Sequence, residues 1–298
     1  MPTAEEFFAP WESVAAPING WATMMEQIDR VHSRVGEDRT LAWRGLSRAS
    51  YTAHSTLYRH LAAAGGPVDE DDMVRFETKM LEVARTRWRF DDRSALEILA
   101  QFQHLGAPTR LLDVTFNPLI ALWFAVEPKY AAGKQVADVD GRLIAFDVTD
   151  RQIQLSSEWG GRDIPWASPP DGWRIELPRV WRPPAYNERI PAQDSGFLLG
   201  GVPGSGNSRF YRKRPGDNTH IPPWRLGEAR AVTSVPMRMY SLDSPTYPRS
   251  KPTLTIRIPG PAKKDIRNVL DRRFGINTSS VYPDMYGLAQ RGWLELTY

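Results

Sequence analysis

Arg44 follows the short apolar run Leu41-Ala42-Trp43 and precedes Gly45, so a guanidinium emerges where a buried strand should end. Such a fork can make charge-assisted hydrogen bonds to phosphate oxygens, each contributing about 1.5–3 kcal/mol, or it can pair with Asp113 across neighbouring strands. A second concentration of polar groups, Gln103, His104, Thr109, Arg110, Asp113 and Thr115, is threaded through a stretch that otherwise reads as core. Buried without partners, each would cost roughly 1–3 kcal/mol, so they are either satisfied internally or turned to a ligand. Gln103 and His104 can bond the turn carbonyls near Gly106 or hold a ligand, Arg110 can bridge strands or touch substrate, and Thr115 belongs to a Thr-x-Asn-Pro junction. A third stretch, Asn187 to Leu198, offers Glu188, Gln193 and Asp194; if it is a strand, Asp194 points away from Gln193. Finally, Arg209, Tyr211, Arg212 and Arg214 interleave charge with rings behind the glycine-rich run Gly200 to Gly206. That pattern grips phosphates and stacks bases, or is a solvated loop.

Several familiar sites are missing. There is no phosphate-binding Gly-x-x-x-x-Gly-Lys loop, no Gly-x-Gly-x-x-Gly, no His-Glu-x-x-His and no Gly-x-Ser-x-Gly. With no cysteine, disulfides, thiol nucleophiles and thiolate metal sites are excluded, and five scattered histidines give no metal spacing; no metal is expected. The longest apolar run, Leu119 to Val126, is too short for a bilayer, and the acidic start Glu5-Glu6 is unlike a secretory leader, so a cytoplasmic protein with no membrane partner is expected. The basic pI of 9.1 suits phosphate-bearing partners.

The elements that must carry these residues are legible in outline. Residues 19–33 and 71–88 have helical spacing. Ser94-x-x-Glu97 is a capping box opening a helix that Gly106 and Pro108 stop, Thr109 to Thr115 alternates as a strand, and Asn117-Pro118 opens a helix apolar on nearly every side. Leu143 to Val148 reads as a buried strand, 253–258 as a half-exposed one, and residues 262–273 as a helix ended by Gly275. A last short helix starts near Pro283, whereas strands within 156–250 are hard to place. Helices early and strands late favour an α+β fold. An N-terminal helical segment, 1–37, would precede one globular unit, 38–298, with a Gly/Pro/Arg-rich loop near 200–225.

Three blocks give this chain a resemblance to the FRG domain family. They are Trp43-Arg44-Gly45; Gln103-His104 through Pro108-Thr109-Arg110-Leu111-Leu112-Asp113 to Asn117-Pro118; and Arg189 to Phe197 with Gln193 and Gly196. With the Tyr282-Pro283-Asp284 tail the likeness spans roughly residues 38–290, and Trp43 replaces the family's phenylalanine. The block order is in turn similar to that of ADP-ribosyltransferases, an analogy of order alone. It implies an ADP-ribosyltransferase-like mixed fold, with helices on a split, mainly antiparallel sheet around a cleft. It also implies NAD as substrate, held by Arg44, Gly45, Gln103, His104, Thr109, Arg110, Asp113 and Asn117. Arg44, Thr115 and Gln193 would take the catalytic places. Gln193 cannot be a base, so Glu188 or Asp194 would stand in for the usual carboxylate. The acceptor would be a nucleic acid or a protein, in a bacterial toxin or phage-defence setting with an antitoxin or inhibitor partner. The alternative is a non-catalytic nucleic-acid-binding FRG module using the Arg209 to Arg214 segment.

Overall fold

A computed structural model describes residues 1–13, 17–131, 134–168, 173, 176–205, 224–244 and 251–292. The strands are β1 (Leu41–Leu46), β2 (Leu112–Thr115), β3 (Tyr130–Ala131), β4 (Lys134–Gln135), β5 (Gly141–Asp147), β6 (Arg179–Trp181), β7 (Ser195–Leu199) and β8 (Thr253–Ile258). Six of them form one sheet in the order β6-β7-β2-β1-β5-β8, every neighbouring pair antiparallel, while β3 and β4 make a separate ribbon. The helices are α1 (Ala4–Phe8), α2 (Trp21–Val35), α3 (Thr56–Ala63), α4 (Glu70–Trp88), α5 (Ala95–His104), α6 (Pro118–Val126), α7 (Arg189–Ala192), α8 (Leu226–Arg230), α9 (Lys263–Phe274), α10 (Thr278–Val281) and α11 (Met285–Arg291). The fold is mixed α+β on a mainly antiparallel sheet.

Local chemistry sets the element ends as the sequence predicts. Ser94 and Glu97 close a reciprocal capping box at α5, Asn117 Oδ1 accepts from Leu119 N at α6, and Gly275 takes the left-handed conformation (φ 63°) that ends α9. α6, apolar on nearly every side, lies in the core.

Two expectations need correction. β2 begins at Leu112 rather than Thr109, because Thr109 is engaged elsewhere: its carbonyl accepts from Leu57 N (3.0 Å) and its N–H donates to Thr56 Oγ1 (3.0 Å) at the start of α3. β8 is buried at every residue but Arg257. Helices α2 and α9 cover its apolar face, and the threonine face is roofed by the N-terminal segment, where Glu12 pairs with Arg142 and Glu5 with Arg257.

The two faces of the sheet are packed differently. One carries a continuous apolar layer, including Ala42, Leu112, Ile144 and Leu198, under α1 and α8. The other carries two separate cores. Trp43, Leu143, Leu254 and Ile256 pack beneath α2, α6 and α9, whereas Phe197, Leu199 and Trp181 pack beneath α4, α5 and three tryptophans, Trp159, Trp166 and Trp173. β2 lies between these two cores, and on that face it presents Asp113 and Thr115 instead of apolar side chains.

Candidate functional site

A hollow of about 290 Å³ occupies the trough above β2. Register fixes its floor: Trp43 is opposite Thr115, Thr115 opposite Ser195 and Asp113 opposite Phe197, so all five side chains leave the same face. Its walls are the end of α5 with Gln103 and His104, Phe124 of α6, the segment Tyr186 to Gln193, and Tyr282.

Arg44 enters by a different route. By alternation it belongs to the opposite face with Ala42 and Leu46, yet it lines the hollow. The reason is the seam between β1 and β2, where Trp43↔Thr115 is the one registered pair against six between β1 and β5 and four between β2 and β7. Phe116 N–H bonds Asp194 on the β7 side, so two-residue periodicity aims the Thr115 and Asp113 peptide groups at β1. At Asp113 the strand partner is missing, and Arg44 Nη1 donates to that carbonyl instead. The Arg44 Nε is buried with no partner, and no carboxylate lies in ion-pair range among the described residues. The expected Arg44–Asp113 contact therefore exists, through the backbone carbonyl rather than as a side-chain ion pair. Burial pushes the guanidinium below its ordinary pKa and the nearby Asp113 charge pulls it back up; it stays cationic.

The glycine beside it is dictated by packing. A Cβ on Gly45 would stand 1.9 Å from the Ala121 carbonyl oxygen and 2.7 Å from Ala125 N, so only glycine lets α6 approach β1 this closely. The bulk of Trp43, 1 % exposed, fills the space beneath the same helix.

The remaining polar groups divide into free and engaged. Gln103 Nε2 donates to Asp113 Oδ2 (3.0 Å), while its carbonyl accepts from Thr109 Oγ1 (2.6 Å) and Thr56 Oγ1 (3.2 Å), which fixes the amide and orients the carboxylate. Thr115 Oγ1 accepts from Asn117 N (3.0 Å), a turn that sets the junction into α6. Gln193 Nε2 donates to the Val281 carbonyl (2.9 Å) and its Oε1 accepts from Ser195 Oγ, so it ties α7 to α10. His104 lies 3.7 Å from Asp284, but burial and Arg189 outweigh the acidic neighbours and hold its pKa below the ordinary imidazole value, leaving it neutral at pH 7. Asp113 is exposed and is the one carboxylate that lines the hollow among the described residues.

Of the residues singled out in the sequence, the structure brings Arg44, Gly45, Gln103, His104, Asp113, Thr115 and Gln193 to this hollow. Five others do not line it. Thr109 is fully buried behind Gln103, Asn117 is spent on capping α6, and Glu188 is exposed at the start of α7 while its neighbours Asn187 and Arg189 face the hollow. Arg110 is the clearest correction. It is 1 % exposed and enclosed by Glu77 (2.9 and 2.8 Å from Nε) and Glu70 (2.7 Å from Nη1). Trp166 and Trp173 donate their indole N–H groups to these carboxylates (2.8 and 2.9 Å) and stack on one another at 5.5 Å, with the guanidinium 4.7 Å over Trp166. Asp194 points elsewhere too, since 189–192 is a helical turn rather than strand, and it pairs with Arg182 at 2.7 Å. Arg209, Tyr211, Arg212 and Arg214 lie outside the described residues. Sequence reasoning did not name Tyr186, Arg189, Phe197 or Tyr282 as site residues, although Arg189, Phe197 and Tyr282 stood inside the quoted blocks.

Residues 39–134 match the family model of the FRG domain, and the chain carries that domain. No curated protein and no solved structure matches it. The matched segment runs from β1 through α6 and contributes Arg44, Gln103, His104, Asp113 and Thr115 to the hollow; Gln193 and Tyr282 come from beyond it. The FRG match is therefore shorter than the likeness read from residues 38–290. Among the described residues no helix is long and apolar enough to cross a membrane.

Proposed function

We propose that this FRG-domain protein is an ADP-ribosyltransferase-like enzyme that takes the nicotinamide end of NAD into the hollow above β2 and transfers ADP-ribose to a nucleic acid or a protein. The observation that carries the reading is the convergence of Arg44, Thr115 and Gln193, from three separate segments, on one cavity. Their roles are unequal. Thr115 and Gln193 are engaged in local hydrogen bonds and position the floor and wall, whereas Arg44 lines the hollow with a single hydrogen bond, from Nη1 to the Asp113 carbonyl, and a buried Nε without a partner. In this reading Arg44 holds a ribose or phosphate oxygen. The glycosidic bond breaks with its electron pair passing to the ring nitrogen of nicotinamide, which loses its positive charge, and the sugar becomes oxocarbenium-like at C1′. A lone pair of the acceptor forms the new bond there, and the acceptor's proton passes to Asp113 or to water. Asp113 replaces Glu188 in this role because it lines the hollow, held by Gln103. The setting that goes with the reading is a bacterial toxin or phage-defence effector with an inhibitory partner.

The test is nicotinamide release from NAD, with NAD binding measured by calorimetry. Wild type should bind and turn over, and Arg44→Ala should lose at least tenfold in both affinity and rate, in line with one charge-assisted hydrogen bond. Absence of NAD binding and of nicotinamide release with nucleic-acid and protein acceptors would refute it. A second reading, a non-catalytic nucleic-acid-binding module, is favoured by a single carboxylate in the hollow. It predicts salt-sensitive nucleic-acid binding with no dependence on NAD.

A further inference from the structure

Beyond one wall of the hollow lies a second depression of about 400 Å³, lined by Lys129, Tyr130, Arg189, Tyr282, Tyr286 and Arg291. Arg189 and Tyr282 belong to both cavities, so a single layer of side chains separates them. That partition is a stack. The Arg189 guanidinium sits 5.2 Å from the Tyr282 ring and 5.1 Å from the Tyr286 ring, and Arg291 sits 4.6 Å from Tyr282. Asp284 fixes Arg189 through Nε (2.6 Å) and Nη2 (2.8 Å), while Lys129 and Arg291 share one carboxylate, that of Glu127. Among the described residues, three cations thus face the two carboxylates that pair with them, and one positive charge is left over. Tyr286 is 47 % exposed, a large ring offered at the surface beside that charge.

Surplus cationic charge next to an accessible ring matches a ligand that carries both phosphate and a flat base. Size points the same way. The hollow alone is at the small end of ligand pockets and suits a nucleoside-sized fragment, so a dinucleotide must extend beyond it. We infer that the depression over Tyr286, Lys129 and Arg291 is a nucleotide subsite, taking the phosphate and base of a nucleoside diphosphate. The size argument and the identity of what fills the neighbouring hollow rest on the NAD reading; the charge and the exposed ring do not.

The probe is ADP, titrated calorimetrically into the full chain at low salt, with pyrophosphate and nicotinamide mononucleotide as companions. Wild type should bind ADP more tightly than pyrophosphate. Tyr286→Ala and Lys129→Ala should each weaken ADP about tenfold, and Tyr286→Phe and Lys129→Arg should restore it. Circular dichroism of each variant guards against misfolding. No ADP binding, equal affinity for pyrophosphate and ADP, or an affinity indifferent to both alanine variants would overturn the subsite. If ADP behaves as expected while nicotinamide mononucleotide fails to sense Arg44→Ala, the reading of the hollow falls and the nucleotide subsite stands.

Discussion

Arg44 and Arg110 come from the same matched domain and flank the same floor strand, yet their surroundings are opposite. Arg110 is sealed among Glu70, Glu77 and two stacked indoles, and even the Val202 N–H is drawn in, at 2.6 Å from Glu70 Oε2. Arg44 meets one backbone carbonyl, keeps an unpaired Nε and faces a cavity. A buried guanidinium whose partners are all protein is a structural device, because any ligand would have to displace carboxylates that are themselves buried. A guanidinium short of partners at the edge of a hollow is where binding free energy is still to be gained. The two roles are linked: the Arg110 cage anchors α4 and the tryptophan core at one side of β2, and that anchoring keeps the floor in place for Arg44.

Substitutions should separate the two roles, beginning with the largest effect. Arg110→Met strands two carboxylates in the interior and should cost about 3–5 kcal/mol, read as a lower urea midpoint; a loss under about 1 kcal/mol would mean the cage is not structural. Gly45→Ala, with its methyl driven into the Ala121 carbonyl, should cost about 1–3 kcal/mol in the same assay, showing that the glycine of the motif serves packing. Arg44→Ala should cost only about 1 kcal/mol of stability while weakening the proposed NAD binding at least tenfold, the reverse of the Arg110 pattern. If Arg44→Ala unfolds the protein instead, the contrast between the two arginines collapses.

The smallest effect is a slope. Burial holds the Glu77 carboxyl above its ordinary value of 4.5, against the lowering pull of Arg110. A carboxyl with a raised folded pKa binds its proton more tightly in the native state, so stability should fall as pH rises from 4.5 through the folded value. Glu77→Gln should flatten urea midpoints measured across that range, leaving the Trp166 contact open to repair by the amide.

What was legible in the sequence was what short-range chemistry determines. The Ser94–Glu97 box, the Asn117-Pro118 start, the Gly275 stop and the all-round apolarity of α6 depend on residues within a few positions of one another. Arg110 was misread because its partners lie 40 and 33 residues upstream on α4, a segment recognisable only by its helical spacing, and because its indole lids come from a segment with little regular structure. Alternation placed Asp113 and Thr115 correctly on one face, but could not foresee that β1 and β2 part beside Trp43 and admit Arg44 from the other side. For Gln193 a strand was one reading; the helical turn Arg189–Ala192 replaces it, and Asp194 sits at φ 42°.

The lone registered pair between the two central strands has a mechanical consequence. In most sheets the middle is the last part to open, whereas here the line of least resistance runs through the centre, and amide exchange along it should outpace that between β1 and β5. A molecule gripped by Arg44 on one bank and by Asp113 on the other would act as a suture across that line, so its arrival should be felt as slower exchange throughout both halves of the sheet rather than at the contact residues alone.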